Sequence, residues 1–112
     1  MAQQDVREMI NEFEKQRQML MSVSMQKQQM QATLNGLDVS LKELENTKET
    51  TVYKAAGAIL VSRNAKEVKK ELEEQKESTA LRLKTMEKQE KNLVDKLNTL
   101  KTEIETAAKP KQ

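Results

Sequence analysis

Cysteine, histidine and tryptophan are absent from this chain of 112 residues. Without cysteine there is no disulfide and no thiol chemistry, and without histidine the chain lacks the commonest metal ligand and the commonest acid–base group at neutral pH. Aromatic residues make up only 2% and hydrophobic residues 36%, which is too little bulk for an ordinary globular core. The composition therefore predicts a protein that is not an enzyme and needs no cofactor, with its apolar residues arranged along a stripe.

Charge is plentiful but balanced, since 34% of the residues are charged and the net charge is only +2. Interspersed acids and bases are typical of solvated helix faces, whereas a nucleic-acid partner would favour a basic stripe. The acidic stretch at residues 67–77 is interleaved with lysines, so we interpret it as such a face and not as a cation site. The longest apolar run, residues 55–61, is far shorter than the roughly 20 residues of a membrane span. We expect a soluble cytoplasmic protein with no membrane or nucleic-acid partner.

Apolar residues recur at alternating spacings of three and four in both halves of the chain, and we call these two series the seam. In the first half the seam is Val6, Met9, Phe13, Gln16, Leu20, Val23, Lys27, Met30, Leu34, Leu37, Leu41 and Leu44. In the second half it is Val68, Leu72, Gln75, Thr79, Leu83, Met86, Glu90, Leu93, Leu97, Leu100, Ile104 and Ala107. A pattern sustained beyond about three to four heptads predicts a long antiparallel two-helix coiled coil. The fold class is therefore dominated by α-helix.

A single β-hairpin is predicted between the two helices, within residues 51–62. Clusters of β-favouring residues at 50–53 and 59–61 flank Gly57. They predict strands near residues 51–54 and 58–62, with the turn at residues 55–57. We expect the first helix over residues 4–48, the second over 64–108 and a tail over 109–112, all in one domain spanning 1–112. Asn64 is suited to cap the second helix with Glu67 in a capping box, and Pro110 is suited to end it.

Pairing the two seams outward from the hairpin brings twelve layers into register. The pairing requires a stutter between Gln75 and Leu83, where successive steps of four replace the alternation. It also places Lys27 and Glu90 in adjacent layers on opposite helices. We therefore hypothesise a partly buried ion pair between them.

The apolar residues of the hairpin alternate between two faces. Tyr53 lies on the opposite side of its strand from Val52, and Leu60 on the opposite side of its strand from Ile59 and Val61. An isolated two-stranded hairpin is marginally stable in water. We infer that this hairpin assembles with other chains.

At the far ends of the helices the seam is wider than a helix pair needs. Ile10 lies beside the seam, which favours a binding role. For Phe13, Leu100 and Ile104 two interpretations stay open, since they either close the coiled coil or also present an edge to a partner. The methionines at 19–30 are likewise either an adaptable binding surface or ordinary helix formers.

The hairpin sequence Val-Tyr-Lys-Ala-Ala-Gly-Ala-Ile-Leu-Val at 52–61, set between two coiled-coil helices, resembles a β-class prefoldin subunit of the archaeal type. The stretch Met-Glu-Lys-Gln-Glu at 86–90 and the leucines after it extend the resemblance over nearly the whole chain. Thr51 stands where the family often has proline, and Ala56 where it often has a larger aliphatic residue.

The resemblance implies an ATP-independent holdase chaperone, in a hexamer of two α-class and four β-class subunits with an intersubunit β-barrel. It assigns to barrel assembly the residues Val52, Tyr53, Gly57, Ile59, Leu60 and Val61, which we call the hairpin cluster. It assigns to capture of non-native client proteins the residues Val6, Met9, Ile10, Phe13, Leu100, Ile104 and Ala107, which we call the end cluster. It further implies transfer of clients to a group II chaperonin, for which Lys109 and Lys111 are candidate contacts.

A different class of function also fits the pattern: a structural coiled-coil adaptor that binds one defined partner helix. Such an adaptor would not suppress the aggregation of unrelated proteins. The two classes are therefore separable by a simple assay with unrelated clients.

Overall fold

The computed structural model describes residues 2–109, with side chains from Val6 onward. Helix α1 runs over Ala2–Asn46 and helix α2 over Ala65–Ala108, with strands β1 (Thr51–Ala56) and β2 (Ile59–Asn64) between them. The predicted fold class of two long helices joined by a single antiparallel hairpin is confirmed. The predicted helix end at Pro110 and the tail residue Lys111 lie outside the described residues.

The turn of the hairpin corrects the sequence prediction. Ala55 pairs with Leu60 and Ala56 with Ile59, so both alanines belong to β1 and the turn consists of Gly57 and Ala58. Gly57 has a φ of 62°, the sign that a type II′ turn requires at its first central residue. A two-residue turn of this kind matches the right-handed twist of the strands, and it lengthens both strands beyond the predicted ones.

The start of α2 is fixed by Asn64, as predicted. Its Oδ1 accepts hydrogen bonds from the backbone N–H groups of Lys66 at 2.9 Å and Glu67 at 3.3 Å. The N–H of Ala65 donates to the carbonyl oxygen of Thr50 at 2.8 Å. Because these groups would otherwise lack partners in the first turn, Asn64 ends β2 and begins α2 without a connecting loop.

The chain divides into two compact units. The terminal unit comprises the residues up to Gln28 and from Lys84 onward, and the hairpin unit comprises residues 29–83. The best-covered seam residues are Leu37, Leu41 and Leu83 in the hairpin unit, and Leu93 and Gln16 in the terminal unit. The other first-helix seam residues are half-buried, so the predicted seam of α1 is confirmed along its whole length.

Gln75, in the hairpin unit, is the one predicted seam residue that the structure contradicts, because it is exposed. Farther along α2, Thr79 and Ala80 are both half-buried. A step of four residues overshoots a helical turn of about 3.6 residues, so two successive steps rotate the contact line around the helix. Beside Gln75, the Nζ of Lys76 lies 2.7 Å from Oδ1 of Asp38, which links the two helices at the solvent edge.

Candidate functional surfaces

The strand register shows which hairpin side chains share a face. Directly opposed residues of an antiparallel pair point to the same side. The register therefore places Val52, Ile59 and Val61 on one face, and Tyr53 and Leu60 on the other. Apart from half-buried Val52, these side chains are between 40% and 70% exposed in the single chain. The hairpin thus presents apolar surface on both faces.

The Val52 face is anchored to α2 at the base of the hairpin. Arg63, directly opposite Val52, donates through Nη2 to Oε1 of Glu71. This hydrogen bond, with the nearby charges of Arg63 and Lys54, lowers the pKa of Glu71. Attachment at the base leaves the apolar residues nearer the turn available for contact with other chains.

Beside this anchor lies an open groove of about 800 Å³. Its apolar lining includes Leu44, Val52, Val68 and Leu72, while carboxylates, among them that of Glu71, stand along it. Leu44 and Val68, the seam residues nearest the hairpin, both line this groove. The groove continues the apolar surface of the hairpin toward the helices.

The end cluster lies wholly within the terminal unit. Ile10 is 50% exposed, beside the seam as predicted. The other six members are half-buried seam residues: Val6, Met9, Phe13, Leu100, Ile104 and Ala107. Each of these six is covered on one side and still presents an edge to solvent.

Gln16 is a buried polar residue next to this cluster, with only 8% of its surface exposed. Its Nε2 donates to Oε1 of Glu12 at 2.7 Å, while its Oε1 has no hydrogen-bond partner among the described residues. Leu100 lines the same surface notch as Gln16 and Glu12. The spacing of the sequence places Gln16 in the seam, but an unpaired acceptor depends on side-chain geometry and has no signal in the sequence.

We expect Gln16→Leu to stabilise the protein. The change removes a buried acceptor without a partner and adds apolar burial, for a gain of about 1 kcal/mol. In thermal unfolding followed by circular dichroism, Tm should rise by roughly 4 °C. Gln18→Leu, at an exposed position of the same helix, is the control and should leave Tm almost unchanged. Equal shifts for the two variants would contradict the assignment.

The hypothesised ion pair in the middle of the seam is confirmed. The Nζ of Lys27 lies 2.9 Å from Oε1 of Glu90, and the hydroxyl of Ser24 donates to Oε2 of Glu90 at 2.7 Å. The hydrogen bonds from Lys27 and Ser24 lower the pKa of Glu90, and the bond to Glu90 raises the pKa of Lys27. Because the folded-state pKa of Glu90 is depressed, its stabilising effect is present at neutral pH and is lost as the pH falls through that pKa.

Lys27→Met should lower Tm, because Glu90 then keeps its charge between two helices with only Ser24 as partner. Glu90→Gln should cost less, since an amide still hydrogen-bonds to Ser24. Thermal unfolding of both variants at pH 7 tests this order. If Lys27→Met raises Tm and the helices keep a single register, the ion pair lowers stability and is not needed to fix the register of the two helices.

Within residues 2–109, neither helix is long and apolar enough to cross a membrane, and no group of three or more acidic side chains is arranged to hold a metal ion. Two long helices joined by a hairpin with exposed apolar residues, together with the apolar end cluster, define the class of coiled-coil proteins that present apolar side chains at their surface.

Comparison with known proteins identifies the family. Residues 7–110 match the family model described as prefoldin subunit. The chain therefore belongs to the prefoldin family of chaperones, and to its β class.

The relatives cover nearly the whole chain. The prefoldin subunit beta of Thermococcus onnurineus is 36% identical over 106 residues, which are 94% of this chain and 91% of the relative. That of Archaeoglobus fulgidus is 33% identical over the same shares. The crystal structure of the prefoldin beta subunit from Thermococcus strain KS-1 superposes with a TM-score of 0.86 at 32% identity, covering 99% of this chain and 98% of that one. Membership of the family implies assembly with other prefoldin subunits.

Proposed function

We propose that this chain is the β-class subunit of an ATP-independent holdase, which binds non-native proteins through its end cluster. The observation that carries the proposal is the division of exposed apolar surface between the hairpin and the end cluster. One surface is suited to assembly and the other to binding of partners that themselves expose apolar residues.

Assembly explains how weak contacts suffice for capture. Few side chains of one end cluster are exposed, so a single subunit binds a client weakly. In a complex of two α-class and four β-class chains, whose hairpins form a shared β-barrel, several end clusters act on one client at high effective concentration. Binding withdraws unfolded chains from aggregation by mass action. The complex would act in the cytoplasm and release clients to a group II chaperonin, with Lys109 as one candidate contact.

The adaptor alternative keeps the same fold but predicts one defined partner. The exposed apolar surface of the end cluster is small, with Ile10 as its most exposed member. A dedicated helix-binding site would need a larger continuous patch, of about 800 Å² on each partner. The holdase is therefore the better-supported function.

The test is reconstitution with an α-class subunit from the same genome. Native mass spectrometry should give a complex of two α-class and four β-class chains. That complex should suppress the aggregation of several unrelated, chemically unfolded clients without nucleotide. A free monomer or simple homodimer would reject the hexamer, and protection of only one client would favour the adaptor.

A further inference from the structure

Helix α1 contains a stretch almost without charge. Over residues 18–37 the single charged residue is Lys27, whereas 34% of the whole chain is charged. Lys27 is itself engaged with Glu90 between the helices. In the terminal unit, the outward side of α1 over residues 18–28 is therefore uncharged, unlike the solvated faces that the composition predicts.

Two methionines stand at the centre of this uncharged side. Met21 and Met25 are four residues apart and so adjacent on the helix surface, with 54% and 61% of their surfaces exposed. Gln18 and Gln28 lie beside them on the same side of the helix. We call these four residues the methionine face. Met19, on another side of the helix, does not belong to it.

A charged boundary marks one end of the methionine face. Arg17 pairs with Glu14, and its Nη1 donates to Sδ of Met21 at 3.5 Å. Beyond this boundary lies Ile10, eleven residues before Met21, which is three helical turns and about 16 Å. Ile10 and Met21 therefore point to the same side of α1.

We propose that the methionine face is a second binding surface for non-native polypeptide, occupied by an extended apolar segment that also contacts Ile10. The inference rests on the proposed holdase function and adds a site to it. An extended chain rises about 3.3 Å per residue, so about five residues span the distance from Ile10 to Met21. A longer client segment thus makes both contacts at once, and the second contact forms at high effective concentration.

The chemistry of the face suits a variable partner. Methionine side chains are unbranched and polarisable, so they adapt to apolar groups of different shapes. The flanking glutamines each offer a donor and an acceptor to the backbone of an extended segment. The face itself carries no charge, and the Arg17–Glu14 pair between it and Ile10 has no net charge. A client of either sign therefore meets little like-charge repulsion.

A second folded copy of this chain is a poorer occupant. Two half-exposed methionines and two glutamines offer a few hundred Å² at most, against about 800 Å² per partner in a stable interface. The helix faces of a second copy are also rich in charge. Those charges would lose water against an uncharged surface and gain no partner.

Site-specific cross-linking tests the proposal directly, because the chain has no cysteine of its own. Met25→Cys and Met19→Cys, each labelled with a benzophenone in the assembled complex, present the same probe on two sides of one helix segment. With reduced, carboxymethylated α-lactalbumin as the unfolded client, we expect at least fivefold more client adduct from position 25. Equal or lower yield there, or adducts that join two subunits, would overturn the proposal.

Two double variants distinguish the loss of apolar contact with the client from a disturbance of the helix. Met21→Gln with Met25→Gln should raise the amount of complex needed to suppress aggregation about threefold, while Met21→Leu with Met25→Leu should match the unsubstituted complex. If the unsubstituted complex fails to suppress aggregation, the holdase function itself fails. If it succeeds and the glutamine variant equals it, only the methionine face is refuted.

Discussion

Leu60→Asp and Ile59→Asp should each disperse the assembled complex while most of the helix content remains. Leu60 is 70% exposed and Ile59 64% exposed in the single chain, on opposite faces of the hairpin. Within the single chain, either aspartate is therefore solvated and the fold tolerates it. At a subunit contact the same carboxylate is buried without a partner, which costs about 3 kcal/mol, or about a hundredfold in each association constant.

Native mass spectrometry measures whether the complex disperses, and circular dichroism measures whether the helix content remains. Met25→Asp is the control, since Met25 is 61% exposed but lies on α1 in the terminal unit. It should leave the native mass unchanged. If the Leu60 and Ile59 variants both keep the mass of the hexamer, the barrel does not form through this hairpin.

The seam was predictable because coiled-coil packing depends on spacing more than on residue identity. An alternation of three and four keeps one line of side chains toward the partner helix, even where the residue is Gln16 or Lys27. The prediction failed at Gln75, where the stutter lies. Spacing alone locates a stutter to within a few residues, whereas packing against the other helix decides which residues there turn inward.

The hairpin was predictable as an element, but its turn was not placed correctly. β-favouring residues on both sides of Gly57 indicated two strands. The three residues between the predicted strands, Ala55, Ala56 and Gly57, were then assigned to the turn. In the structure, the left-handed φ of Gly57 fixes the first turn position, and the pairing of both alanines with β2 follows from it.

The polar contacts around the candidate surfaces were predictable only in part. Register alone brought Lys27 and Glu90 together, because it specifies which layers are adjacent. Ser24 was not foreseen as a partner of Glu90, since it lies outside the seam and its contribution depends on a rotamer. The unpaired Oε1 of Gln16 was missed for the same reason.

Phe13→Ser combined with Ile104→Ser should leave the hexamer intact and weaken the suppression of client aggregation. Both side chains are half-buried, so each contributes an exposed edge worth about 1 kcal/mol to a client contact. Every β-class subunit of the complex loses both edges, so the loss of client affinity accumulates over the subunits. About tenfold more complex should then be needed for half-maximal suppression. Light scattering of an unfolded client at several complex concentrations gives this value.

Two further variants keep that result from being confused with damage to the coiled coil. Ile10→Ser removes an exposed residue beside the seam, so it should weaken suppression about threefold with no change in Tm. Asn11→Ser with Lys101→Ser, at exposed positions of the same segments, should behave like the unsubstituted protein. If the Phe13 and Ile104 variant and the Ile10 variant both suppress aggregation normally, clients bind elsewhere. The methionine face then becomes the first place to look, because Met21 and Met25 are 54% and 61% exposed.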